Sequence, residues 1–425
     1  MPGLDDFSPK ALAMVARAEG ELTAGGVFAR MEAVALLNEK RVLDAMREYR
    51  VEPRHFSGTT GYGYDDVGRD TLDKIFARCM GAEAALVRPQ IVNGTHALAL
   101  ALYGALRPGD TMVAVTGKPY DTLEQVIGIS GPKGQGSLME YGVRYRQLEL
   151  NGEGKVDLPA LETALAGHPA MIYMQRSRGY SLRAALSLAD IAQVAQLRDR
   201  VSPGTVLMVD NCYGEFVETG EPTEVGAQLM AGSLIKNPGG GLADTGGYLA
   251  GRADLVERAA FRLTTPGVGG EVGSYASGYR NLYEGLFLAP HTVLQSVKTA
   301  ALLAHTLGQM GYVTSPDAFA PRYDIIQTVR LESPEALCTF CRAIQAAAPV
   351  DAHVVPEPWP MPGYQDEIIM AAGAFVQGSS IELSADGPVR PPYAVYYQGG
   401  LTWYHAKLGV LLSLQKMLDA GLISL

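Results

Sequence analysis

Cysteine is scarce in this sequence: Cys79, Cys212, Cys338 and Cys341 are the only four in 425 residues. That is too sparse for a disulfide framework in a chain of this length. Cys338 and Cys341 form a CxxC inside the helix-like stretch SPEALCTFCRAIQAAA, but no second pair or histidine cluster joins them. Core packing is therefore expected there, and a metal site is not. Long apolar runs are also missing, since no window approaches the ~20 uninterrupted apolar residues of a membrane helix. The opening MPGLDDFSPK lacks a basic start followed by an apolar run, so no secretory signal is expected. No basic tract of the nucleic-acid-binding kind occurs and the formal net charge is −10, which argues against a polyanionic partner. No GxGxxG sits between a strand and a helix, and Gly117-Lys118 is followed by proline. Dinucleotide and P-loop readings fail on that ground. These absences predict a protein of the reducing cytoplasm, with neither a membrane nor a nucleic acid as partner.

What is present is enough apolar residue (47%, against 19% charged) for one or two cores. Helical patterns cover the first fifty residues, and a glycine- and tyrosine-rich loop, HFSGTTGYGYDDVGRD, follows them. From Asp110 onward strands alternate with helices. Strands are expected over 111–115, 143–150, 170–175 and 206–209, with helices over 121–129, 157–165 and 187–200. That alternation predicts an α/β fold with a mostly parallel sheet covered on both faces. A long helical stretch from Tyr275 to Gly311 is expected to break or kink near Pro290, and the domain boundary is expected there. Beyond it, strands over 325–331, 368–375 and 380–383, a proline-rich loop PEPWPMPGYQDE and a last helix over 402–420 predict a smaller α/β domain.

Ligands on open parallel sheets gather at the carboxyl ends of strands. Tyr120, Arg178 and Asp210 fall just after expected strand ends. So does the stretch AGSLIKNPGGGLADTGGYLAG, which carries a single lysine, Lys236, followed by three consecutive glycines. Such glycine density lets the backbone approach a ligand closely. A lysine fixed there has one well-known use, an imine with a carbonyl cofactor such as pyridoxal phosphate. The other pieces of such a site are also present in chain order. Gly94, Thr95 and His96 open a helix and could cradle a phosphate, with Ser233 as a hydroxyl donor. Asp210 suits the pyridine nitrogen, Tyr120 could stack on the ring, and Arg390 or Arg178 could fork a substrate carboxylate. Each has a plainer alternative. Asn93 or Thr95 could simply cap the helix, His96 could be a core histidine, and Arg390 could pair with Asp386 on the surface.

The order of these blocks resembles the pyridoxal-phosphate enzymes of the cystathionine β-lyase and methionine γ-lyase type, and within them the aluminium-resistance subgroup. The resemblance rests on HFSGTTGYGYDDVGRDTL, RPQIVNGTHALALAL, TGKPYDTLEQVIG, QRSRGYS, VDNCYGEF, SLIKNPGGGLADTGGY and IELSADGPVRPPYAVYYQGGLT. It implies an aspartate-aminotransferase-type fold (fold type I). A helical segment over 1–58 would join a small domain over 291–425, beside a large cofactor domain over 59–290. It matches Lys236 to the Schiff-base lysine and Asp210 to the pyridine partner. Tyr120 matches the stacking tyrosine, and Gly94, Thr95 and Ser233 the phosphate cradle. Tyr62 or Tyr64 matches a tyrosine that reaches a neighbouring subunit's phosphate, which implies a homodimer or homotetramer with shared active sites. Arg390 is the better carboxylate clamp. The implied activity is carbon–sulfur bond cleavage in a sulfur-containing amino acid by β- or γ-elimination, giving keto acid, ammonia and thiol. A γ-replacement enzyme or an aminotransferase is the alternative. The chain departs from those lyases in three ways. Ile235 stands where a threonine precedes the lysine, Asp244 interrupts the glycine stretch, and no arginine accompanies Tyr62 and Tyr64.

Overall fold

The computed structural model describes residues 4–361 and 366–424. Residues 362–365 of the proline-rich loop lie outside the described residues. The larger sheet is built from β1 (Ala84–Arg88), β2 (Thr111–Ala114), β3 (Arg144–Gln147), β4 (Met171–Gln175), β5 (Val206–Asp210), β6 (Leu229–Ser233) and β7 (Gly247–Gly251). Their order is β1-β7-β6-β5-β4-β2-β3. All neighbours are parallel except β7, which runs antiparallel to both β1 and β6.

Each central strand is apolar on both sides, as burial between two helical layers requires. In β4, Ile172 and Met174 join Val209 of β5 and the helices over Leu158–Leu165 and Leu188–Val201 in one core. Met171 and Tyr173 face the other way and pack with Met208, Leu98 and Ala101. The period-two alternation of side chains thus feeds two cores from one sheet.

The smaller sheet contains β8 (Val313–Ser315), β9 (Gln327–Arg330), β10 (Ile368–Ala371), β11 (Ser384–Pro388) and β12 (Ala394–Gln398). It runs β10-β11-β12-β9-β8, antiparallel throughout. Its core includes Val329, Ile369, Val395 and Tyr397 from the strands, Phe340 and Ile344 from the Pro334–Ala347 helix, and Val15, Ala18 and Leu22 from the first helix, Pro9–Ala24.

Several sequence expectations are corrected here. The helix Arg280–Gly308 continues through Pro290 without a break. A proline removes one helical hydrogen bond, but this helix is buried along most of its length, so packing offsets the loss. Residues 380–383 form a turn, and the strand begins at Ser384. SADGP has poor strand propensity; pairing with β10 and β12 on either side imposes the extended form. β12, unrecognised in the sequence, is buried on both faces. The Gly94–Ala105 helix starts earlier than its apolar run, because Asn93 caps it.

Candidate active site

The strand β6 ends at Ser233, and a short 3₁₀ turn, Asn237–Gly239, follows Lys236. Two contacts fix this turn. Asn237 Nδ2 donates to the Glu215 carbonyl at 3.0 Å, and Gly239 and Gly240 lie against Gly285 of the long helix. Gly240 has φ +57°, and a Cβ there would stand 2.3 Å from the Gly285 carbonyl oxygen. Only bare backbone fits on both sides of that contact. Lys236 Nζ donates to the Gly378 carbonyl at 2.5 Å and to Ser380 Oγ at 2.8 Å, and it lies 5.4 Å from the Tyr213 ring centroid. Burial brings its ammonium down from the ordinary range to about 8.

Asp210 closes β5 and is buried. Its Oδ1 accepts from the Cys212 amide at 3.1 Å, the Tyr173 hydroxyl makes a long contact of 3.4 Å to Oδ2, and the Cys212 thiol donates to the same carboxylate. Burial raises its carboxyl above the usual range, against the pull of the Cys212 and Tyr173 hydrogen bonds. Lys236, Asp210, Tyr120, Ser233, Gly94 and Thr95 all line one hollow of about 410 Å³. The sequence residues expected to act together at the strand ends are therefore neighbours in space.

Others are placed differently. His96 does not line this hollow. Its amide is taken by the Asn93 cap at 2.8 Å, and its Nδ1 accepts from the Val92 amide at 3.2 Å. The helix-opening amides without an intrahelical acceptor are those of Gly94 and Thr95. Arg178 is buried, and its Nη1 donates to the Ser315 carbonyl, Ser315 Oγ and Thr328 Oγ1 at 2.9, 3.1 and 3.3 Å. Nη1 is thus tied to β8 and β9, Nε has no hydrogen bond among the described residues, and Arg178 lines the same hollow as Arg390. Arg390 pairs with Asp366 at 2.6 Å, not with Asp386. It lines a second hollow of about 320 Å³ that shares Tyr120 and Gly179 with the first.

Tyr62 and Tyr64 are 72% and 64% exposed and line none of the hollows around Lys236. Their loop is nonetheless well held: the Gly273 amide donates to the Tyr62 carbonyl at 3.0 Å, and Ser274 Oγ donates to the Gly61 carbonyl at 2.8 Å. Asp244 has its place in this support, because its carboxylate accepts from the Tyr275 hydroxyl at 2.8 and 3.0 Å.

The sequence reading missed four residues. Thr122 Oγ1 lies 2.7 Å from Thr95 Oγ1 and lines the same hollow, so it brings a hydroxyl where Ile235 has none. Its position four residues before Val126 on a short helix gave no signal of this. Tyr213, with φ +72°, and Ser380 flank Lys236. Asp386, read as a surface acid, is buried in a hollow with Lys236.

The sequence profile of the methionine γ-lyase family matches residues 12–418. The chain belongs to that family. Within it, the protein YnbB of Bacillus subtilis is 48% identical over 405 residues, covering 95% of this chain and 96% of that protein. The crystal structure of a carbon–sulfur lyase involved in aluminium resistance from Clostridium novyi NT is similar over 97% of both chains, with 45% identity and a TM-score of 0.93. At 16% identity, the pyridoxal-5'-phosphate-dependent protein YhfS of Escherichia coli still superposes over 91% of this chain and 96% of its own, with a TM-score of 0.63. The fold is that of the aspartate-aminotransferase type expected from the sequence. Among the described residues, no helix is long and apolar enough to cross a membrane.

Proposed function

We propose that this member of the methionine γ-lyase family is a carbon–sulfur lyase that holds pyridoxal phosphate at Lys236 and acts on a sulfur-containing amino acid. The observation that carries the reading is the meeting of Lys236, Asp210, Tyr120, Ser233 and the Gly94–Thr95 turn around one hollow.

The residues fit that cofactor on three counts. The buried Asp210 carboxylate lines the hollow beside Lys236, where it suits a protonated ring nitrogen. A Cβ on Gly94 would stand 3.3 Å from Cys212 Sγ and 3.4 Å from Ser233 Cβ, so a bare cradle adjoins the helix N-terminus. Thr95, Thr122 and Ser233 add hydroxyls to it. When bound, the cofactor supplies an electron sink that stabilises negative charge at the substrate Cα.

The chain supplies the rest. The amides of Gly94 and Thr95 and the nearby hydroxyls hold the phosphate. Tyr120 covers the ring face, and Asp210 keeps the ring nitrogen protonated. Lys236 Nζ, once free, takes the α-proton; burial keeps it partly neutral for this role. Ser380 Oγ and the Gly378 carbonyl then accept from the resulting ammonium. Arg390 orients the substrate carboxylate. A second copy of the chain belongs to this reading, with exposed Tyr62 or Tyr64 completing the neighbour's phosphate site.

The test is release of keto acid and ammonia from cystathionine, cysteine or methionine with no keto acid added as acceptor. Release is expected with the wild type and not with Lys236→Ala. Amino-group transfer without ammonia, or silence on every sulfur amino acid, would remove the lyase assignment.

A further inference from the structure

Asp386 lies on β11, between Met370 of β10 and Tyr396 of β12 in register. It is 6% exposed, yet it borders a hollow of about 170 Å³ that also reaches Lys236. Oδ2 accepts from Gln398 Nε2 at 3.2 Å, the Tyr180 hydroxyl also donates toward the carboxylate, and Oδ1 has no close hydrogen bond among the described residues. The hollow is otherwise walled by neutral groups, chiefly Tyr180, Tyr213, Tyr396 and Met370. It has the size of a side chain, not of a whole amino acid with its cofactor. Lys118, Arg178 and Arg390 line a different hollow together with Asp121 and Asp366, and it meets this one at Tyr120, Gly179 and Tyr180. Arg390 in that neighbouring hollow suits an α-carboxylate, and the hollow beside it bears a single carboxylate, Asp386.

We propose that Asp386 sets substrate choice, favouring sulfur amino acids whose side chain ends in an ammonium group and turning away those that end in a carboxylate. This rests on the lyase reading above, in which Lys236 is given over to the cofactor and to the α-proton, so that Asp386 is the charged group in the hollow left to meet the far end of the substrate side chain. A buried carboxylate left in that state gains from a cationic hydrogen-bond donor. A second carboxylate placed beside it meets like charge without solvent to screen it. Burial raises the Asp386 carboxyl to about 6 while the neighbouring Lys236 charge pulls it down, and a substrate ammonium beside it favours the ionised form in the same way.

A matched set of substrates tests this on the cofactor-loaded enzyme. S-(2-aminoethyl)cysteine, S-propylcysteine and S-carboxymethylcysteine differ only at the far end of the side chain. The expected order of kcat/KM is ammonium, then neutral, then carboxylate, with roughly 10–100-fold between the first and the second. Asp386→Asn should compress that ratio by about the same factor, read between substrates on the one variant so that any common change in turnover cancels. Binding of ornithine, norvaline and glutamate, which carry no leaving group, gives a second readout in the wild type through thermal shift and needs no variant to fold. Equal affinities together with equal kcat/KM values would overturn the inference, as would a loss on Asp386→Asn that is uniform across substrates. Preference for ornithine without turnover of any sulfur amino acid would retain the selection by Asp386 and discard the lyase reading.

Discussion

Lys236 and Ser380 stand 144 positions apart in the chain, yet Lys236 Nζ donates to Ser380 Oγ at 2.8 Å. The bond joins the end of the larger sheet to the turn that precedes β11. It gives the lysine an acceptor for the moment when it carries a proton. Ser380→Ala is expected to retain the cofactor but lower kcat by about 10-fold, the worth of one hydrogen bond to a charged group. Steady-state kinetics beside the visible spectrum of the loaded protein separates the two effects. Loss of the spectrum would place Ser380 in cofactor binding instead.

The depressed Lys236 ammonium sets a pH dependence. Only the neutral amine attacks an aldehyde, and burial lowers this ammonium from its ordinary 10.5 to about 8. Below about 8 the amine is protonated and uptake slows; above about 8 it is neutral and uptake levels off. Asp386 opposes the shift, so Asp386→Asn should move the midpoint to lower pH. Following uptake of pyridoxal phosphate by cofactor-free protein from about pH 6.5 to about pH 10 checks this. A rate that keeps climbing to the ordinary lysine range would contradict it.

Asp210→Asn removes the buried carboxylate and keeps its shape. Gly94, Thr95 and Ser233, proposed above to hold the phosphate, are untouched, so the cofactor should stay bound. Turnover should fall by at least ~100-fold, because a neutral ring nitrogen no longer draws charge from Cα. Equal turnover in wild type and variant, at equal cofactor content, would exclude Asp210 from the chemistry.

Gly285→Ala acts at a distance from the chemistry. Its Cβ would fall 2.3 Å from the Gly239 carbonyl oxygen, and either the helix or the turn after Lys236 must shift. A cost of about 1–3 kcal/mol is expected, with reduced cofactor occupancy because the lysine moves with the turn. Chemical denaturation and cofactor titration measure the two. Unchanged stability and occupancy would mean that the contact is soft.

Arg322 offers the opposite case. It is 7% exposed, none of its guanidinium nitrogens has a hydrogen-bond partner among the described residues, and burial lowers it to about 9. Val293, Val297 and Phe319 line the same hollow. Arg322→Met should stabilise the protein by about 1 kcal/mol or more, seen as a higher Tm with activity retained. A lower Tm would show that the guanidinium has a partner in solution.

Local pattern was enough for the alternation of strands and helices, and hence for the parallel sheet, because apolar runs bounded by turn residues carry their own period. Strand-end positions likewise marked Tyr120, Asp210 and Lys236, since a parallel sheet delivers its strand ends to one edge. SADGP and AVYYQ were harder. The first is a strand only because its neighbours pair with it, and the second lay in a proline-rich context that masked it. Asn93 took the His96 amide, and β8 with β9 took Arg178 Nη1; a residue type does not announce which partner satisfies it.

The sequence by itself therefore determined the fold and the residues at the sheet edge, both being consequences of local periodicity and chain order. Tertiary structure alone decided that Thr122 would supply a hydroxyl, that Ser380 and Gly378 would meet Lys236, and that Asp386 would be buried beside it. Those contacts join segments far apart in the chain, and close packing between elements, which no local pattern encodes, sets who meets whom.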